Sequence, residues 1–346
     1  MMVSDYILNF LVKKKVKKVF LITGGAITFI VDAFSRNNKI NYIDCGHEQG
    51  SAMMADAYSR LGPNFSATMV TSGPGATNLL TGIACSWFDS IPGIHFCGQV
   101  NNHEISGAVK STVNVRQIGF QETDIVSMAK PITKFAYRIK SEKEIPFILE
   151  KAYHISVSGR PGPVLIDIPM NFQKKIINPK KLKIFKLNKR KTNNLKKNVD
   201  IAYSLLMKAK KPVIILGGGI VISKSKNKLN KLFSNFNLPY VTTWSGLDCC
   251  FYGQKNYVGT IGVYGSRAAN FAVQNSDLII NIGSRLDTRI TGGNPSSFAR
   301  NAKIISIDID KNELNKKRGL NNFLKINNDV KDFLNQFTSK PNYISD

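Results

Sequence analysis

Short apolar runs recur through this 346-residue chain, each ending in a turn and followed by a segment of helical periodicity. Residues 19–22 end at Gly24-Gly25, and 27–34 read as a helix. Residues 41–45 lead into a helix over 49–60. Residues 66–71 stop at Ser72-Gly73-Pro74-Gly75, a helix over 76–87 follows, and 93–97 form the next strand. Residues 163–168 are apolar except Asp167. Strands this short and this apolar need cover on both faces, which a parallel sheet between two helical layers provides. After Met170 the pattern breaks into a Lys- and Asn-rich stretch, 171–197, read as a linker. It then restarts with a helix over 200–209 and strands at 213–216, 240–243, 278–282 and 303–308. The expected fold is α/β, with two doubly wound parallel-sheet domains over 1–170 and 198–338, the second Rossmann-like.

Length agrees with about two domains. The net charge of +25 raises nucleic-acid binding as a possibility. The charges are spread along the chain, without an aromatic–Arg stretch for stacking bases, so neither nucleic acid nor membrane is expected as a partner. Five cysteines, Cys45, Cys85, Cys97, Cys249 and Cys250, form no C-x-x-C pair. They read as reduced thiols of a cytoplasmic protein, without a zinc site or disulfide framework. Near the N-terminus the lysines follow the apolar residues, unlike a signal peptide. There Val3, Tyr6, Ile7, Phe10 and Leu11 fall at helical spacing, with Ser4 placed to cap.

Several polar positions invite two readings each. Glu48, in CGHEQGSAMMADAYSR, is either a first-turn acid favoured by the helix dipole or a buried acid whose proton does chemistry. Gly73, Pro74, Gly75 and Asn78 lie on either a structural turn or a ligand-facing loop. Gly217–Gly219 resemble a dinucleotide turn but lack the full G-x-G-x-x-G spacing, and a plain tight turn fits equally. Arg160, before a buried strand, and Arg285 and Arg289, in IGSRLDTRITGG, either hold an anion or tie loops together. His47, His95, His103 and His154 have no metal-ligand spacing.

The order of motifs is more specific than any one of them. HEQGSAMMADAYSR, TSGPGATNLLTGIACSWFDSIP, GQV, FQETDIV, PITK and SGRPGPVLIDIP succeed one another, and YGSRAANFAVQNSDLIINIGSRLDTR and IISIDID come later. Nearly the whole chain resembles the N-terminal and central domains of the thiamine-diphosphate-dependent acetolactate synthase family. The resemblance implies that 1–170 bind the cofactor's pyrimidine and that Glu48 shares a proton with N1′ of that ring. It implies that the cofactor, once activated, attacks and decarboxylates pyruvate, a 2-keto acid, and that the two-carbon unit is ligated to a second 2-keto acid. Such a protein is a carboligase, a transferase. By the same match Phe120 and Gln121 lie near the reacting carbons, and Gly24 and Gly25 form a loop over the active centre. The turn Gly73-Pro74-Gly75 and Asn78 belong to the cofactor site. Arg160 and the stretch from Gly265 to Arg285 match flavin-binding segments, so FAD is possible, and Arg289 matches the holder of the second substrate's carboxylate. A homodimer or tetramer is implied, since the family's cofactor lies between subunits.

Departures from the pattern matter as well. The family holds the diphosphate through Mg²⁺ on a third domain marked by Gly-Asp-Gly, a tripeptide this sequence lacks. Residues 339–346 are therefore expected to begin a linker toward that domain, and the chain alone is expected to be catalytically incomplete. Thr23 stands where the family usually has proline, and Thr288 where it has a second aspartate. The wording VNVRQIGFQE resembles relatives that use a keto-sugar nucleotide as acceptor in surface-polysaccharide synthesis. A non-catalytic or split subunit is the other alternative.

Overall fold

The computed structural model describes residues 1–62, 65–106, 115–187, 194–250, 253–320 and 322–342. The chain divides into two compact units, Met1–Lys189 and Arg190–Asp346.

In the first unit six strands form one parallel sheet: β1 (Lys18–Leu21), β2 (Asn41–Asp44), β3 (Ser66–Val70), β4 (Gly93–Gln99), β5 (Phe135–Arg138) and β6 (Pro163–Pro169). Their spatial order is β2-β1-β3-β4-β6-β5. Every residue of β3, β4 and β6 is buried. This follows from their composition, because alternate side chains enter two different cores. Ile94, Phe96, Val164, Ile166 and Ile168 join the core that includes Ile7, Leu8, Leu11 and Leu149. Cys97 and Leu165 join the other, with Ala52, Leu79 and Ile83.

The N-terminal helix Val3–Lys13 buries the apolar stripe expected of it, except that Tyr6 is only partly covered. Ser4 is not its cap. It lies inside the first turn, fully buried, with no hydrogen-bond partner for its hydroxyl among the described residues. The helix instead starts from Met2, which bridges to Ile176, and the Val3 amide donates to the Lys175 carbonyl at 2.9 Å. The stretch read as a linker is thus partly structural. Phe172 and Ile177 are buried in the first unit's core. Residues 188–193 of that stretch, and 343–346, lie outside the described residues.

The second unit repeats the scheme with β7 (Pro212–Leu216), β8 (Tyr240–Thr242), β9 (Tyr257–Thr260), β10 (Leu278–Ile282), β11 (Lys303–Asp308) and β12 (Asn322–Asn327). The order β12-β11-β10-β7-β8-β9, all parallel, reverses direction between β7 and β10. That is the Rossmann arrangement. In the first unit the corresponding reversal falls between β1 and β3.

One buried charge ties the first unit's helices together. Glu150, 7% exposed on the helix Ile145–Val157, accepts from Lys14 Nζ at 2.6 Å. The Lys14 ammonium also lies 4.0 Å from the centre of the Tyr153 ring. Lys14→Met is expected to cost about 3 kcal/mol in urea unfolding, since it strands a buried carboxylate. The figure sits at the low end of that range because Lys13 and His154 remain within 4.0 Å of Glu150. Adding Glu150→Leu should recover most of the loss.

Candidate active site

Parallel strands place all their following loops at one end, and ligands of open α/β sheets bind there, at the reversal of strand order. In the first unit three loops meet at that point. Gly24 and Gly25 follow β1, Gly46 to Glu48 follow β2, and Thr71 to Asn78 follow β3.

Glu48 opens the helix Glu48–Leu61. His47 caps that helix, its Nδ1 accepting from the Gln49 amide at 3.1 Å, so His47 plays a structural part. Glu48 therefore satisfies the first-turn reading. It also faces the loop beyond β3, where Asn78 Nδ2 donates to its Oε2 at 2.9 Å. Its Oε1 lies 3.3 Å from the point where a β-carbon on Gly75 would sit. The expectation of a buried acid is not met, because Glu48 is half-buried. The side chain stands at the mouth of the loop cluster, next to the exposed Gly46 and His47, instead of beneath it.

Sequence reasoning passed over Thr71, which joins two of the loops. Its Oγ1 accepts from the Ala26 amide at 3.2 Å. A β-carbon on Gly24 would lie 2.5 Å from Thr71 Cβ, and one on Gly75 would lie 2.8 Å from its Cγ2. The only sequence signal for Thr71 was its place at the end of a strand before Ser72-Gly73. Around Gly25 there is open space. Pro74 takes the first turn of the short helix Pro74–Asn78, where its missing N–H costs nothing. Gly73 has φ +62° and lies against Gln121, whose Cβ would be 2.7 Å from a β-carbon at Gly73.

Gln121 is thus in the cluster, and it too has a left-handed backbone, φ +62°. Phe120 is not gathered in, and its ring is 83% exposed. Glu122 secures this segment by accepting from Ser106 N at 2.7 Å, Ser106 Oγ at 2.6 Å and Ile118 N at 2.9 Å. These bonds hold its carboxyl below the usual glutamate range, although desolvation pulls the other way. Arg160 stands apart. It precedes β6, at the opposite end of the sheet from Glu48, and its Nε donates to Ser90 Oγ at 2.8 Å.

In the second unit the loops after β7 and β10 close on each other. The Gly219 amide donates to the Gly283 carbonyl at 2.9 Å, and a β-carbon on Gly217 would lie 2.3 Å from that oxygen. The glycines at 217–219 therefore serve a close approach of two backbones. Gly265 closes a tight turn onto the Gly262 carbonyl at 2.9 Å. Arg285 pairs with Asp287 at 3.2 Å and Glu313 at 3.8 Å. Arg289 lies 5.6 Å from the centre of the exposed Tyr264 ring and has no carboxylate partner among the described residues.

The chain matches the family model of the thiamine pyrophosphate enzyme N-terminal TPP binding domain over residues 1–128, and that of the central domain over 199–337. It is 35% identical over 315 residues to the acetolactate synthase isozyme 2 large subunit of Escherichia coli, covering 91% of this chain and 55% of the relative. It is 36% identical over 317 residues to the acetolactate synthase large subunit of Lactococcus lactis, covering 90% and 53%. With the probable acetolactate synthase large subunit of Methanococcus aeolicus it shares 35% over 347 residues, 99% and 55%. The chain spans about half the length of the curated relatives it matches.

Two outcomes are expected from this geometry. Gly73→Ala should lose about 1–3 kcal/mol in urea unfolding, because it combines a positive φ with a clash against Gln121. The second concerns Asp167, fully buried in β6, whose pKa burial lifts from 3.8 to about 6 against the pull of Arg138. Between those values the folded state keeps a proton that the unfolded state releases, so stability should fall as pH rises from about 4 to about 6. Asp167→Asn should lack that component in pH-dependent urea unfolding. Two matching domain models in succession, which together cover most of the chain, make it a member of the thiamine pyrophosphate enzyme family, similar to acetolactate synthase large subunits.

Proposed function

We propose that this chain supplies the pyrimidine-side half of a thiamine diphosphate site in an acetolactate synthase-like carboligase. The observation that carries the reading is the Glu48–Asn78 pair at the reversal point of the first sheet. Asn78 fixes one carboxylate oxygen of Glu48 and leaves Oε1 toward Gly75, where only the Thr71 side chain comes closer. An oxygen so placed suits a ring nitrogen that must exchange a proton. When bound, the cofactor supplies the electron sink for decarboxylating a 2-keto acid. Glu48 holds and returns the proton at its Oε1. Gly25 borders open space, Thr71 packs against the Gly24 and Gly75 positions, and Gln121 lies over the Gly73-Pro74 turn. The exposed Phe120 ring is available to the substrate's carbons.

The proposed substrates are pyruvate as donor and a second 2-keto acid as acceptor, in line with the relatives' names. The guanidinium of Arg289, without a carboxylate partner among the described residues, supports a carboxylate-bearing acceptor. The keto-sugar acceptor suggested by VNVRQIGFQE is not favoured, and part of that segment lies outside the described residues. No group of three or more His, Cys, Asp or Glu among the described residues forms a metal site. The reading draws Mg²⁺ ligands from elsewhere, as the family resemblance implies. It assigns FAD to the strand-end loops of the second unit, around Gly265 and Arg285; Arg160 enters only as a sequence match to the family's flavin-binding segments. It includes a second copy of the chain, in a homodimer or tetramer, supported by Met53, Met54 and Phe88, which leave large apolar side chains exposed on the helices Glu48–Leu61 and Leu80–Asp89. No helix among the described residues is long and apolar enough to cross a membrane. The proposed setting is the cytoplasm.

In the complete enzyme, Glu48→Gln should lower pyruvate turnover by about 10²–10⁴-fold. Circular dichroism and the melting temperature should be unchanged. Turnover within a factor of about two of the parent would remove Glu48 from the chemistry and the reading with it.

A further inference from the structure

The Gln121 backbone is held in a conformation that costs free energy, and such residues persist only where neighbours over-determine them. Glu122 holds the segment from one side. The other side leads to a charge buried in the sheet. Asp167 lies in β6, between β4 and β5, where its register partners are Cys97 and Arg138. Two groups from those flanking strands converge on its Oδ2: Arg138 Nε at 2.6 Å and Gln99 Nε2 at 3.2 Å. The same two side chains then reach a single carbonyl. Gln99 Nε2 donates to Thr123 O at 2.8 Å, and Arg138 Nη2 donates to it at 3.4 Å. Arg138 Nη2 also meets Asp124 Oδ1 at 3.4 Å, and Asp124 caps the helix Ile125–Ala129. Thr123 Oγ1 donates back to the Gln121 carbonyl at 3.3 Å.

A carboxylate inside a parallel sheet is expensive unless its partners pair and hydrogen-bond with it. Here both are turned toward one backbone oxygen, two residues beyond Gln121. We propose that Asp167, Arg138 and Gln99 are positioning residues that fix the Phe120–Gln121 segment against the Gly73 turn through Thr123 O. Their importance for catalysis rests on the function proposed above; their action on the segment does not.

Two conservative variants separate the clamp from the ion pair. Arg138→Lys keeps a cation beside Asp167 and gives up the second N–H that reaches Thr123 O. Gln99→Met leaves the ion pair whole and removes the other donor. Hydrogen–deuterium exchange of the full chain, read by mass spectrometry over residues 118–124, should rise about tenfold in each variant. Exchange over residues 93–97 and 163–169 should stay at the parental rate. Unchanged exchange over 118–124 would overturn the proposal. So would a rise shared equally by the two strands, which marks a general loosening. If the clamp result holds while Glu48→Gln leaves turnover intact, the positioning stands and the functional reading falls. The opposite pair of results removes the clamp and keeps the reading.

Discussion

Burial of parallel strands on both faces is the constraint from which the rest follows. A strand covered on both sides offers no side chain to solvent along its length, so chemistry is confined to its ends. In the first unit β3, β4 and β6 are wholly buried, and the loops that build the site follow β1, β2, β3 and β4. Asp167, with Gln99 and Arg138 on the flanking strands, is the exception within the sheet, and the hydrogen bonds of these three run toward that same end. The second unit obeys the same rule with a different outcome. At its reversal point two glycine loops lie backbone to backbone, and Arg285 and Arg289 stand beside them on the loop after β10.

How much of this was legible in the sequence depended on burial. The central strands were readable because both of their faces demand apolar residues. The three strands that escaped the reading, β5, β9 and β12, all lie at sheet edges. Two of them, Phe135–Arg138 and Tyr257–Thr260, are half-buried throughout. An edge strand has one neighbour and less cover, so its composition carries a weaker period. The Lys- and Asn-rich stretch after Met170 looked like linker because its few buried side chains, such as Phe172 and Ile177, are outnumbered by polar residues.

The candidate site was legible as residue types but not as pairs. Glu48 stood out as a lone acid before an apolar helix. That Asn78, thirty positions later, would donate to it depends on β1 and β3 being neighbours, which only the three-dimensional strand order reveals. Thr71 was legible only as the end of a strand, since its part is to fill the space left by Gly24 on a neighbouring loop and by Gly75 on its own. The half-burial of Glu48 could not be read either. Exposure at a loop cluster depends on what the neighbouring loops leave open, and sequence period does not report it.

Thr71 has a mechanical consequence. Its hydroxyl holds the loop after β1, and its methyl group fills the hollow at Gly75 on the loop after β3. A push on the Gly24–Gly25 loop is therefore delivered, through one side chain less than 3 Å from the β-carbon positions of both Gly24 and Gly75, to the turn that borders the Glu48 carboxylate. The two loops work as one lever with a threonine for its pivot. The loop after β1 and the turn beside the acid thus meet through a single side chain.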